Sequence, residues 1–306
     1  MLKSINSVNN ILFFGATGKL GSYWIKNLAL KNVVFCQVHK KKELPKLKNI
    51  KKIKLNLINS KDIYLFCKRN KISLIINCIG LANVDFCEFN KKKAYDTNYK
   101  IPSNLCRSAK KINIPFVHIS TDMLFSGRLK KKYTERNFYS PINQYSFTKV
   151  KAEKYILKYN NSLIIRTNFF GFGKKNNQTF SDKIIFDQKM RKKTYLWEDV
   201  YFTPIYIPNL VFFLNLLIKN RSSGIFNVSS DIKISKYEFG KRLIDKIIKN
   251  KKIYPNKFDE KKFTKRPSNM ALSNLKLKKK FSKYKNKLKL QYQISSFIKD
   301  YKLLNG

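Results

Sequence analysis

Apolar residues along this chain fall into two patterns: short unbroken runs, and longer stretches in which they recur every three or four positions. The runs Ile11–Phe14, Val33–Val38, Ile53–Leu57, Leu74–Ile79, Phe116–Ser120 and Leu163–Thr167 are rich in β-branched and aromatic residues. Near-continuous runs of this kind suit strands covered on both faces, as in a parallel sheet. Helical spacing fills most of the gaps, so the alternation predicts an α/β fold: a doubly wound parallel sheet of the Rossmann-like type. Beyond about residue 170 the pattern loosens. Gly171–Gln178 reads as a loop, Val211–Lys219 as a helix and Ile225–Val228 as a strand. Ser235–Lys249 reads as a helix capped by Ser235, with Glu238 three residues on. No internal repeat is visible.

The first strand runs into Gly15-Ala-Thr-Gly18-Lys-Leu-Gly21, and a helical segment, Ser22–Leu30, follows. A strand, a glycine-rich turn and a helix in that order let backbone amides approach a pyrophosphate at a helix N-terminus. Gly15 and Gly18 permit the turn, and Gly21 permits close packing of helix on strand. Thr17, Lys19 and Leu20 complete the loop. The chain is therefore expected to divide into a dinucleotide-binding domain, residues 1–170 rejoined by 201–229, and a smaller substrate-binding lobe, residues 171–200 and 230–306. The lobe should stand beyond the carboxyl ends of the strands, where open α/β sheets bind ligands.

Charge changes the picture less than its size suggests. Lys and Arg number 65 against 18 Asp and Glu, a net +47. The lysines are spread over the whole length rather than gathered in a stripe, so no specific nucleic-acid partner is expected. A diffuse positive field still favours encounter with a phosphorylated substrate. The five cysteines, Cys36, Cys67, Cys78, Cys87 and Cys106, form no Cys-x-x-Cys pair. Free thiols in a cytoplasmic protein are expected. The two histidines, His39 and His118, exclude a histidine-rich metal site, and no metal is expected. The Ile11–Phe14 run is too short for a secretory signal. The apolar stretch Ile205–Ile218 is broken by Pro208, Asn209 and Asn215 and reads as a buried helix, not a membrane span.

Ser140-Pro141 has the character of a helix start. From there Ile142, Tyr145, Lys149, Ala152 and Ile156 share one stripe, which should face the sheet. A lysine inside an apolar stripe is costly unless its charge is used. Tyr145, one turn earlier, can share its site. Just before this helix, Ile119-Ser120-Thr121-Asp122 places hydroxyls at the end of a strand. His118 reads as a hydrogen-bonded core residue and Cys78 as a packing residue without redox chemistry.

These segments together resemble the extended short-chain dehydrogenases, most closely the dTDP-4-dehydrorhamnose reductases. The resemblance also runs through Asn77-Cys-Ile-Gly80, Val84-Asp85, Glu88, Asn98, Ser120-Thr121-Asp122-Met-Leu-Phe125-Ser-Gly127 and Tyr133-Thr-Glu135. It continues through Pro141-Ile-Asn-Gln-Tyr145-Ser-Phe-Thr-Lys149, Arg166-Thr-Asn-Phe169 and Thr203-Pro204, and more loosely through Gly224–Val228, Ser235–Phe239 and Arg266-Pro267. Departures are Asn56, where an acid is common, Phe169 in place of a tryptophan, and Met123 in place of a tyrosine. The resemblance implies NADPH-dependent reduction, with NADH as the alternative cofactor, of the 4-keto group of a nucleotide-linked 6-deoxyhexose for surface polysaccharide synthesis. An epimerase, a reductase of another nucleotide sugar, or a non-catalytic regulatory subunit are the rival readings.

By the same resemblance, Tyr145 is the general acid, Thr121 orients the ketone, and Lys149 lowers the phenol's pKa and holds the cofactor ribose. Gly15, Thr17, Gly18, Lys19, Leu20, Asn56, Leu57, Ile79, Gly80 and Leu81 line the cofactor. Asp122, Phe169 and Arg266 meet the substrate, and the assembly is compatible with a homodimer. The second strand ends in His39-Lys40-Lys41-Lys42, with no acid before Glu43. A carboxylate there would select NADH; Lys40 is the expected contact to a 2′-phosphate, with His39 or Lys41 as alternates.

Overall fold

The computed structural model describes residues 9–38, 44–172, 180–249 and 251–305. Lys40 lies outside them, as does most of the expected Gly171–Gln178 loop. The strands are β1 (Asn9–Phe14), β2 (Asn32–Gln37), β3 (Ile50–Ile53), β4 (Ile72–Asn77), β5 (Phe116–Ile119), β6 (Ser162–Arg166), β7 (Phe169–Phe170), β8 (Thr194–Trp197), β9 (Tyr201–Phe202), β10 (Ile205–Tyr206), β11 (Gly224–Asn227), β12 (Ile234–Ser235) and β13 (Ile253–Asn256). The helices are α1 (Lys19–Leu28), α2 (Ser60–Arg69), α3 (Val84–Phe89), α4 (Lys91–Tyr95), α5 (Ile101–Lys111), α6 (Gln144–Ile156), α7 (Phe180–Lys189), α8 (Ile207–Lys219), α9 (Lys236–Ile244), α10 (Leu275–Lys280) and α11 (Leu290–Asn305). A π-turn, Asp96–Lys100, links α4 to α5.

The main sheet has seven strands in the order β11-β6-β5-β4-β1-β2-β3, and every pairing in it is parallel. This is the doubly wound Rossmann-like arrangement that the alternation of runs predicts. Side chains of successive strand residues leave the sheet on opposite faces. In β1, Ile11 and Phe13 accordingly enter one core and Leu12 and Phe14 the other. The first core is closed by α1 and α8, through Leu20, Trp24, Ile25 and Leu28 against Leu210, Phe213, Leu214 and Leu217. Trp24 is fully buried, and its indole N–H donates to Asn215 Oδ1 at 2.8 Å. Asn215, one of the residues that breaks the Ile205–Ile218 stretch, thereby satisfies the one polar atom of that core tryptophan. The stretch itself divides into β10 and α8. Among the described residues no helix is long and apolar enough to cross a membrane.

A third core gathers Phe170, Ile184, Leu196, Phe202, Tyr206, Ile234, Phe239, Leu243, Ile294 and Phe297 from α7, α9, α11 and the short strands. Those strands pair only two by two: β7 with β10, β9 with β12, β8 with β13. Ser235 caps α9 as expected, its side chain accepting from Glu238 N at 3.1 Å.

Several sequence-based boundaries differ: α1 starts at Lys19 rather than Ser22, α8 at Ile207 rather than Val211, and α9 ends at Ile244 rather than Lys249. The third strand is Ile50–Ile53, not Ile53–Leu57. It pairs on one side only, with β2, and its central residues Lys51 and Lys52 are exposed. An edge strand of this kind carries a polar pattern. Helix α6 starts at Gln144 rather than at Ser140-Pro141. Asn143 Oδ1 accepts from Ser146 N at 2.9 Å, and the Ser146 hydroxyl lies 3.3 Å from Asn143 N, a reciprocal cap. The Ser140 hydroxyl instead accepts from Ser126 N at 2.8 Å.

Candidate active site

The carboxyl ends of β1, β4 and β5 are neighbours in the sheet, and each carries one part of the site. Gly15 follows β1 with φ +84°, a conformation that favours glycine. A Cβ on Gly15 would lie 2.7 Å from Cys78 C, so the loop is pressed against the end of β4. Gly18 is the N-cap of α1, and no side chain caps it. The first-turn amides, from Lys19 onward, are therefore left for an anion. This glycine cradle fits a dinucleotide pyrophosphate. Leu20 is buried in the first core. Burial lowers the pKa of Lys19, and Asp182 opposes that.

After β4, Ile79 N donates to Asn77 Oδ1 at 3.0 Å. Leu81 N donates to Asn98 Oδ1 at 2.8 Å, and Asn98 Nδ2 donates to Leu81 O at 3.1 Å and lies 3.3 Å from Thr148 Oγ1. Asn98, wholly buried in the π-turn, thus clamps the backbone on which Gly80 sits. A π-turn within a helix often marks a functional position. The sequence shows Asn98 but not its partners. Asn56 and Leu57 lie in the segment between β3 and α2. Asn56 is exposed and accepts from Ile58 N, and Leu57 packs on the second core.

After β5, Thr121 Oγ1 lies 3.3 Å from Asp122 Oδ1 and accepts from Met123 N at 3.2 Å. Asn168 Nδ2 donates to Asp122 Oδ2 at 2.8 Å. Burial pushes the Asp122 carboxyl up to about 6, against the pull of Lys236 and the bond from Asn168. Lys236, at the start of α9, is itself pushed down by burial to about 8, with Asp122 opposing. Its ammonium sits 3.4 Å from the centre of the Phe202 ring. Lys236 lies in the Ser235–Phe239 segment of the resemblance, but the sequence does not show that it meets Asp122.

Tyr145 and Lys149 both point into this region from α6 and are buried. The Thr121 hydroxyl neighbours the Tyr145 phenol. Burial raises the phenol's pKa, more than the neighbouring Thr121 lowers it, and Asp122 and Cys87 raise it further. The expected lowering by an adjacent ammonium is absent from this arrangement. Lys149 Nζ lies 2.9 Å from Ile119 O and 3.1 Å from His118 Nε2. Burial brings Lys149 down to about 8, with Glu153 and then Cys78 opposing. Glu153, one turn on, forms a fully buried pair with Arg166 at 2.8 Å and accepts from the Tyr139 hydroxyl at 2.8 Å.

Phe169 is half-buried in β7 against the first core. Arg266 pairs with Asp85 of α3 at 2.8 Å, and its guanidinium lies 5.5 Å from the Trp197 ring centre. The structure thus brings Thr121, Asp122, Tyr145 and Lys149 to the sheet edge that carries the glycine loop, and it ties Arg266 to a carboxylate.

The chain resembles a probable low-salt glycan biosynthesis reductase of Haloferax volcanii, at 29% identity over 183 residues, 58% of this chain and 60% of that protein. It resembles the methionine adenosyltransferase 2 subunit beta of Rattus norvegicus at 25% identity over 248 residues, 77% of this chain and 71% of that protein. The crystal structure of a dTDP-4-dehydrorhamnose reductase from Clostridium acetobutylicum superposes with a TM-score of 0.80 at 25% identity, covering 96% of this chain and 99% of that one. The model of the RmlD substrate binding domain matches residues 9–303, and the chain belongs to that family.

Proposed function

We propose that this protein is a nicotinamide-dependent reductase of a nucleotide-linked 4-keto-6-deoxyhexose, acting in surface polysaccharide synthesis in the cytoplasm. The observation that carries the reading is the meeting of Thr121, Tyr145 and Lys149, all buried, at the edge that holds the glycine cradle. When bound, the dinucleotide supplies hydride to the ketone carbon. The carbonyl oxygen then gains negative charge and needs a donor. Tyr145 gives that oxygen its proton, and Thr121 fixes the oxygen by a second hydrogen bond. The Asp122–Asn168 pair faces a sugar hydroxyl. Residues 1–170 with 201–229 form the dinucleotide domain, and 171–200 with 230–306 the substrate lobe. Phe169 and Arg266 belong to the substrate side, with Arg266 set by Asp85. NADPH is the proposed cofactor and a homodimer the proposed assembly.

Screening nucleotide-linked keto sugars for NADPH oxidation tests the reading. Tyr145→Phe should cut turnover on the best substrate by about 10²–10⁴-fold while cofactor binding survives. Near-normal turnover in that variant would remove Tyr145 from its role. The match to a protein named as a subunit keeps one rival in view, a non-catalytic regulatory subunit on the same fold. Tight cofactor binding by the wild-type protein with no turnover of any keto sugar would favour it.

A further inference from the structure

His118 lies on β5, wholly buried, and both of its ring nitrogens are engaged. Nδ1 is 3.0 Å from Asn77 Nδ2, and Nε2 is 3.1 Å from Lys149 Nζ. The protons along this line can be assigned by elimination. Asn77 Oδ1 accepts from the backbone N–H of Ile79 at 3.0 Å, which fixes the amide's orientation and turns its NH₂ toward the ring. Nδ1 must then be the acceptor, so a neutral ring carries its proton on Nε2. The group presented to Lys149 is therefore an N–H. An ammonium has no lone pair to accept it, whereas a neutral amine has one and can still donate to Ile119 O at 2.9 Å.

We infer that His118, oriented by Asn77, is a positioning residue for Lys149: it offers the lysine nitrogen a hydrogen bond that only the neutral amine can accept, and it sends the ammonium to another acceptor. The rest of the pocket is consistent with this. The titratable groups facing Lys149 are His118 from β5, Cys78 from the end of β4, and Glu153 from its own helix. Glu153 is already paired with Arg166 and Tyr139. Burial raises the Cys78 thiol, which keeps it protonated. Burial holds His118 well below the ordinary imidazole value, which keeps the ring neutral. The protonation of Lys149 and its location are thus coupled. As an amine it lies against His118; as an ammonium it must turn away, and only then can its charge act on the Tyr145 phenol.

The chain has two histidines, so protein labelled with [¹⁵N]histidine gives two ring spectra, and His118→Asn identifies the one that matters. The expected result, with no substrate or cofactor added, is a His118 ring protonated at Nε2 and bare at Nδ1 throughout the neutral range. A ring protonated at Nδ1, or one that titrates there, overturns the inference. This measurement does not depend on the reductase reading, so the two can fail separately. The second arm does depend on it. In His118→Gln the side-chain oxygen can accept from an ammonium. The falling alkaline limb of kcat/KM should then move up by about one unit, the worth of a hydrogen bond made only to the neutral amine. An unmoved limb in a folded variant overturns the inference as well.

Discussion

Replacing Gly21 by alanine is the sharpest test of how the glycine loop is built. A Cβ at Gly21 would stand 2.1 Å from Gly15 O, 2.9 Å from Gly15 C and 3.0 Å from Ala16 Cα. All three are backbone atoms, so no side chain can rotate aside. The first turn of α1 would have to move off the end of β1, and Leu20 and Trp24 would leave the core they share with α8. Overpacking a core costs about 1–3 kcal/mol, and a backbone-on-backbone contact belongs at the top of that range. At roughly 2–4 °C per kcal/mol for a chain approaching this size, about 3 kcal/mol lowers Tm by roughly 6–12 °C. The amides that face the pyrophosphate move with the helix, so cofactor affinity should fall about 10-fold or more. Gly80→Ala is the matched control. Its Cβ would meet only Asn98 Oδ1, at 3.9 Å, so stability should stay within about 0.5 kcal/mol of wild type. The methyl would nonetheless stand where the cofactor is expected, and affinity should drop. Thermal melts followed by circular dichroism and cofactor titrations by fluorescence give all four values. A Gly21→Ala protein that melts and binds like wild type would refute the account of the loop.

Three further outcomes follow from the buried charges and the cofactor loop. Glu153→Leu strands the Arg166 guanidinium in the core and should cost about 3–5 kcal/mol in urea unfolding, whereas adding Arg166→Met should recover most of that; a single-variant loss below about 1 kcal/mol would mean that the pair is dispensable. Asp122 is held up at about 6 when folded, against an ordinary value of 3.8, so its contribution is fully present below about 4 and is lost as pH rises through about 6. Asp122→Asn should therefore be the more stable protein at pH 7, by on the order of 2–3 kcal/mol, and should lose the pH dependence between about 4 and 6; equal melting curves in that window would contradict the shift. The absence of an acid between the end of β2 and Glu43 predicts an NADPH preference of about 10-fold in kcat/KM at matched ionic strength, and parity with NADH would refute it.

The strands that build the site were legible because they are buried on both faces. β1, β2, β4, β5 and β6 begin and end within two residues of their apolar runs. β3 was misplaced for the opposite reason. At the sheet edge its central residues Lys51 and Lys52 face water, while Leu55 and Leu57, which look like strand, pack on the second core from the following segment. The two-residue strands around the third core leave no periodicity to find. The proposed catalytic positions, Thr121, Tyr145 and Lys149, are legible from motif spacing. The hydrogen bonds that set them are not, because each joins residues distant in sequence. His118 meets Lys149 across 31 positions, Asn77 meets His118 across 41, Asn98 meets Thr148 across 50, and Asp122 meets Asn168 across 46.

That division explains why a chain with net charge +47 can carry a site whose chemistry is nearly neutral. Exposed charges more than about 8 Å apart are screened at physiological salt. The many surface lysines therefore contribute a diffuse field that speeds encounter with a phosphorylated ligand and does little inside the cleft. Within the cleft, burial decides. It lowers Lys149 and Lys236 and raises Asp122, each toward its uncharged form, and it raises Tyr145 away from phenolate. A site biased this way keeps its protons on the groups that must donate them and strengthens every hydrogen bond it makes. It also makes each remaining charge depend on a specific partner: Asp122 on Asn168, and Arg266 on Asp85. Lys149 is the exception that gives the site its control, because its neighbour offers a proton where a counter-charge would be expected. On the proposed reading, charging that lysine and turning it toward Tyr145 lowers the phenol's pKa, so cofactor binding and proton supply meet at one side chain.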